Sequence, residues 1–161
     1  AFLFHRDLRL VALGSGETRY EEFFARLAQR FPGKAWFYRG YNEKLAHWIE
    51  AGPDIFLMPS RYEPCGLNQM YSLRYVTLPV VRATGGLADT VMNYDPRSGA
   101  GTGFTFDDYT PEALLGTLQW ALGVFKQRDA WRRLQRAGMQ RDHSWDSSAR
   151  AYVKVYERAK T

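Results

Sequence analysis

This sequence predicts a parallel α/β sheet with helices on both faces, and three observations carry that reading. Short apolar runs alternate with longer segments of helical period, the rhythm of repeated strand–helix units. The run Ile55-Phe56-Leu57-Met58 is apolar at every position, which suits a strand covered on both faces in the middle of a doubly wound, Rossmann-like sheet. Gly and Pro pairs, Pro32-Gly33 and Gly52-Pro53 among them, fall between the runs and break the pattern there.

The elements follow in order. Residues 8–13 read as a first strand, ended by Gly14-Ser15-Gly16. Thr18 with Glu21 three residues on reads as a capping box, and the helix after it has Phe23, Phe24, Leu27, Ala28 and Phe31 on one face. Residues 35–38 form a second strand, Gly40-Tyr41 a turn, and Asn42 the N-cap of a helix that carries Leu45, Trp48 and Ile49 inward. The apolar run at 55–58 is the third strand, followed by a helix over residues 67–75. Residues 78–81 form a fourth strand, in which Pro79 must sit at the beginning or at an unpaired position. Gly85-Gly86 leads into a short helix at 87–91, the stretch 95–103 is the loosest loop, and 103–106 is a small edge strand. Thr110-Pro111 opens a helix with Pro at its first position, its buried stripe made by Leu114, Leu115, Leu118, Ala121, Leu122 and Phe125. A helix at 129–140 follows, and then a last one from Trp145 with Ala149, Tyr152, Val153 and Tyr156 on one side. Together they make one domain over residues 1–161, without internal repeat or low-complexity segment.

Composition removes several classes of function. With 45% hydrophobic and 16% aromatic residues the chain can bury a core, so a disordered or disulfide-stapled polypeptide is excluded. A lone Cys65 cannot form an internal bridge, which favours a reducing compartment. The balance of 22 Lys+Arg against 17 Asp+Glu gives +5 and suits anionic ligands, but no run of consecutive basic residues marks a nucleic-acid partner. No apolar stretch approaches the ~20 residues that cross a bilayer, and no signal peptide is recognisable, so no membrane partner is expected. His5, His47 and His143 stand singly, without the spacing of paired ligands, so no metal is expected; no cofactor is expected either. The chain starts at Ala1 rather than Met, inside what reads as structure, and is expected to be a fragment or a processed product.

The segment 59–69, Pro-Ser-Arg-Tyr-Glu-Pro-Cys-Gly-Leu-Asn-Gln, leaves a central strand at its carboxyl end, where open α/β sheets place ligands. Gly66 lets the backbone approach a ligand closely, and the amides of Gly66, Leu67 and Asn68 are first-turn donors suited to a phosphate. Glu63, held outside the helix by Pro64, is placed to grip hydroxyls of a sugar attached to that phosphate; equally, it is a plain helix cap. Cys65 as a nucleophile lacks a histidine nearby in sequence, and a small residue offering its backbone is the simpler reading. Tyr41 after Gly40 presents a ring for stacking on a base or, equally, for packing on Trp48. Gly14-Ser15-Gly16 lacks the third glycine of a dinucleotide fingerprint, Arg19 standing in its place, and reads as an ordinary turn. Thr84-Gly85-Gly86-Leu87 reads as a strand exit and capped short helix in preference to a second phosphate cradle.

Taken together, these strings make the chain resemble the bacterial glycogen synthases and plant starch synthases, retaining glycosyltransferases of the GT-B fold. The match is carried by Gly14-Ser15-Gly16, residues 40–47, residues 59–69 and 82–91, with Gly101-Thr102-Gly103-Phe104 and Ser144-Trp145 in support. The resemblance implies the donor-binding, C-terminal half of an enzyme that extends an α-1,4-glucan acceptor from ADP-glucose without a metal, in the cytoplasm or, in a plant, the plastid stroma. It implies that Tyr41, next to Gly40, stacks on adenine, and that amides around Cys65, Gly66 and Leu67, with Asn68, hold phosphate and glucose. Glu63 is implied to hydrogen-bond glucose hydroxyls and to stabilise positive charge at the anomeric carbon, not to act as a covalent nucleophile. Tyr71 stands where related GT-B enzymes have a second carboxylate, which the synthases tolerate. The resemblance implies two further parts, a cationic segment that clamps the donor diphosphate and a whole N-terminal acceptor domain, the expected partner, both of which a fragment matching from about residue 8 is expected to lack. Two other readings remain: a stand-alone nucleotide-sugar or glucan-binding module, and a GT-B transferase using a UDP-sugar. The isolated chain is expected to transfer no glucose, so measurable incorporation into glycogen by the purified polypeptide would contradict the fragment reading.

Overall fold

The structure, a computed structural model, describes residues 7–160, so His5 and the start at Ala1 lie outside the described residues. In chain order the elements are β1 (Leu10–Gly14), α1 (Thr18–Arg30), β2 (Ala35–Arg39), α2 (Glu43–Ala51), β3 (Ile55–Met58) and α3 (Asn68–Arg74). They continue with β4 (Leu78–Arg82), α4 (Gly86–Thr90), β5 (Phe104–Phe106), α5 (Pro111–Phe125), α6 (Arg128–Met139) and α7 (Trp145–Ala159). The chain forms two compact units, one ending at Ile49 and one beginning at Glu50.

In the first unit β1 and β2 run parallel, from Leu10 opposite Ala35 to Gly14 opposite Arg39. Helix α1 packs on β2, with Phe24 stacked on Phe37 at 5.6 Å between ring centroids. The expected capping box does not form, because the cap position is Glu17 and Thr18 is already helical. Glu21 reaches back instead to the Gly16 amide at 2.9 Å and pairs with the Arg39 guanidinium, tying the turn after β1 to the end of β2. Phe23 is exposed, one step around the helix from the Phe24 contact. Asn42 caps α2 as expected, its Oδ1 accepting the Leu45 amide at 2.9 Å, but Trp48 is exposed rather than inward.

In the second unit β4 is the middle of a parallel three-stranded sheet, ordered β3-β4-β5. Among the described residues β3 is bonded to β4 alone, so the central place expected for β3 belongs to β4 in this sheet. Pro79 is the second residue of β4 and precedes the pairing with β5, which starts at Val80 opposite Phe104. Strand alternation sends Val80 and Val81 to opposite faces. Val80 packs in a cluster with Phe104, Ala121, Val124, Trp131 and Leu134, beneath α5 and α6. Val81 packs with Leu87 and Val91 at α4, so helices cover both faces. Thr110 caps α5, accepting the Ala113 amide at 3.2 Å, and Leu115 lies outside the buried stripe. In the loop after α4, the Asp95 carboxylate accepts from the Ser98 hydroxyl at 2.7 Å and the Arg97 amide at 2.9 Å, which holds its carboxyl below the ordinary range. Helix α7 starts at the expected place, with Ser144 accepting the Ser147 amide, yet none of its residues is buried. No helix among the described residues is long and apolar enough to cross a membrane.

Phe104 is fully buried, edge-on to Trp120 and stacked on Trp131. Phe104→Ala is expected to lower stability by about 3–5 kcal/mol in urea unfolding, the range for emptying a buried aromatic site.

Candidate functional site

Parallel pairing brings the carboxyl ends of neighbouring strands together. With Met58 opposite Val81, the loop leaving β3 and the turn leaving β4 are adjacent. The second of these is Thr84-Gly85-Gly86, and its glycines receive the first loop at closer range than any side chain allows. A Cβ on Gly85 would lie 2.0 Å from the Glu63 carbonyl oxygen, and one on Gly86 would lie 1.9 Å from that of Cys65. The Gly86 amide donates to the Glu63 carbonyl at 3.0 Å. That amide is committed to the neighbouring loop, which removes it from a phosphate-cradle role and supports the strand-exit reading of the turn.

Two side chains complete the fastening. Gln69, fully buried in α3, directs Nε2 at the carbonyls of Cys65 (3.2 Å) and Gly66 (2.9 Å) and at Thr90 Oγ (3.0 Å). Arg82, at the end of β4, donates Nη1 to the Arg61 carbonyl at 2.8 Å and Nε to the Asp107 carbonyl at 2.9 Å. Its guanidinium carbon also lies 5.6 Å from the centre of the Tyr109 ring.

What remains unengaged on this loop is one carboxylate and a short run of amides. The Glu63 carboxylate, half-buried, has no hydrogen bond or ion pair among the described residues. It does not cap α3: the cap position is Leu67, and no side chain occupies the cap. The amides of Gly66, Leu67 and Asn68 likewise find no acceptor among the described residues. Gly66 adopts φ 70°, a left-handed conformation suited to glycine. Cys65 is exposed, its Sγ making a weak contact with the Gly66 carbonyl at 3.7 Å. A half-buried, unpaired carboxylate and unpaired amides on one stretch of chain have the chemistry to take hydroxyls and an anionic group. Among the described residues no group of His, Cys, Asp and Glu is arranged to hold a metal ion.

Glu63, Cys65, Gly66 and Leu67 thus lie on one loop of the second unit, and Asn68 is the first residue of the helix that the loop enters. Gly40 and Tyr41 belong to the first unit, at the carboxyl end of β2, where the Gly40 amide donates to the Gly14 carbonyl at 2.9 Å. The Tyr41 ring is 80% exposed and makes no ring contact with Trp48, itself exposed, so the packing alternative does not hold. Gln69, Arg82 and Thr90 carry the loop's geometry without having been singled out from the sequence. Arg82 meets backbone carbonyls 21 and 25 residues away and Gln69 meets the Thr90 side chain 21 residues away, pairings that spacing does not reveal. Only the polar residues at buried positions of α3, Gln69 and Ser72, hint at them.

The family described as glycosyl transferases group 1 matches residues 3–137. The glycogen synthase of Koribacter versatilis is 55% identical over 150 residues, covering 93% of this chain and 31% of that protein. The glycogen synthase of Anaeromyxobacter dehalogenans is 56% identical over 154 residues, covering 96% of this chain and 32% of that protein. The catalytic domain of starch synthase IV from Arabidopsis thaliana, solved bound to ADP and acarbose, superposes with a TM-score of 0.75 at 29% identity, over 94% of this chain and 38% of that one. The chain spans about a third of the length of the curated relatives it matches. The fold is that of the GT-B glycosyltransferases, as the sequence predicts.

Gly86→Ala forces its new methyl group against the Cys65 carbonyl. The substitution is expected to cost about 1–3 kcal/mol in urea unfolding, the range for overpacking a filled site.

Proposed function

Because this chain belongs to the glycosyl transferases group 1 family, we propose that it is the donor-binding part of a glycogen or starch synthase. The reaction is transfer of glucose from ADP-glucose to the non-reducing end of an α-1,4-glucan, with retention at the anomeric carbon. The bond from that carbon to the diphosphate oxygen breaks, a bond to the acceptor hydroxyl oxygen forms, and the acceptor proton leaves with the ADP. The observation that carries this reading is the unpaired Glu63 carboxylate on the loop whose Gly66, Leu67 and Asn68 amides are also unengaged. The identity to glycogen synthases and the ADP bound to the solved starch synthase support the choice of donor.

In this reading the Gly66 and Leu67 amides, beside Cys65 and Asn68, hold the phosphate and lower the cost of the charge that gathers on the leaving group. Glu63 accepts hydrogen bonds from glucose hydroxyls and stabilises the positive charge that develops at the anomeric carbon. Tyr41 offers its bare ring to adenine, with Gly40 allowing the turn that presents it. An N-terminal acceptor domain supplies the glucan, and the protein works in the cytoplasm or a plastid stroma.

The test is complementation. The chain is co-expressed with the N-terminal part of a relative such as the Koribacter versatilis glycogen synthase, and glucose incorporation into glycogen is measured with ADP-glucose and UDP-glucose. Incorporation from ADP-glucose, absent from the chain alone, is expected, and Glu63→Gln is expected to reduce it on the order of 10²–10³-fold while ADP binding persists. Tight ADP-glucose binding without transfer in any combination supports a stand-alone module instead, and preference for UDP-glucose overturns the donor assignment.

A further inference from the structure

We infer that Gln69 is the positioning residue of this loop, the group that turns its amide hydrogens outward towards the bound anion; the inference rests on the donor reading above. All described peptide bonds are trans, and in a trans peptide the carbonyl and the following N–H point in opposite directions. Fixing a carbonyl therefore aims the next amide. The two hydrogens of Gln69 Nε2 serve three acceptors, one going to Thr90 Oγ and the other shared between the Cys65 and Gly66 carbonyls, and holding those two carbonyls aims the Gly66 and Leu67 amides away from Gln69. The Gly86 amide holds the Glu63 carbonyl, and the next residue, Pro64, has no N–H to lose.

The direction of the network is set from its far end. Thr90 donates its hydroxyl hydrogen to the Gly86 carbonyl at 2.5 Å, so towards Gln69 it can only accept, and the side-chain amide must present its nitrogen. The clamp thus ties α3, α4 and the loop through one buried side chain. A second observation points the same way. Gln69 Oε1 is buried with no hydrogen-bond partner among the described residues. Gly66 is required here on both counts, since a Cβ there would lie 2.5 Å from Oε1.

The experiment titrates the full chain with ADP, following backbone amide resonances, with the thermal midpoint and hydrogen exchange of the Gly86 amide measured in parallel. Gln69→Leu removes the donors at similar volume and is expected to raise the ADP dissociation constant about tenfold, as for one lost hydrogen bond to a charged group, and to accelerate Gly86 exchange. Thr90→Val is expected to act in the same direction, and the double variant to be no worse than Gln69→Leu. Val124→Ala, a core substitution remote from the loop, is expected to lower the midpoint and leave the constant unchanged. Equal dissociation constants across Gln69→Leu, Thr90→Val and Val124→Ala overturn the inference. If Gln69→Leu does not fold, Thr90→Val against Val124→Ala decides. If the unsubstituted chain shows no response to ADP, the donor reading fails, and the clamp stands or falls on whether Gln69→Leu or Thr90→Val speeds Gly86 exchange.

Discussion

The close approach of two backbones governs this molecule. The carbonyls of Glu63 and Cys65 rest on Gly85 and Gly86 at distances that exclude even a methyl group, so the loop after β3 and the turn after β4 behave as one piece. With those carbonyls held inward, the loop has its carboxylate and its amides left to offer. A side chain at either glycine would prop the loop away from the turn and loosen every group on it. The small residues thus let the loop and the turn meet at backbone range, and the polar residues Gln69 and Arg82 fasten the loop there.

β4 makes that approach possible. It is hydrogen-bonded on both edges, its first four residues are buried, and its two faces feed separate apolar clusters. A strand held so firmly fixes the origin of the glycine turn and of Arg82, whose guanidinium spans from the Arg61 carbonyl to that of Asp107. Parallel pairing then puts the β3 loop at the same end. The larger buried apolar cluster lies under α5 and α6, while the candidate loop follows the end of a strand, the place where open α/β sheets hold ligands. Exposed Tyr41 and the bare aromatic face of α7 extend the contrast: large apolar rings lie open at places the buried clusters do not reach.

Much of this was legible from local rules. Asn42, Thr110 and Ser144 cap the helices they precede because each short polar side chain reaches an amide only a turn away. Strand positions followed from apolar runs between Gly and Pro breaks. Local rules failed where two local solutions competed. Thr18 is a good cap residue, but Glu21 has a better use in the Gly16 amide and Arg39. Phe23, Trp48 and Leu115 fit a helical stripe by spacing, yet the stripe's direction depends on what the helix meets.

The same boundary runs through the candidate site. Sequence alone determined that a glycine-containing loop with Glu63, Cys65 and Asn68 leaves an apolar strand and enters a helix, since residue types and strand–helix order are properties of the chain. Tertiary structure alone decided that Gly85 and Gly86 underlie Glu63 and Cys65, and that Gln69 reaches Thr90, 21 residues away. The reason is range: propensity and capping act within a turn of backbone, whereas close packing and buried hydrogen bonds are satisfied across strands, by whichever segments the sheet brings side by side.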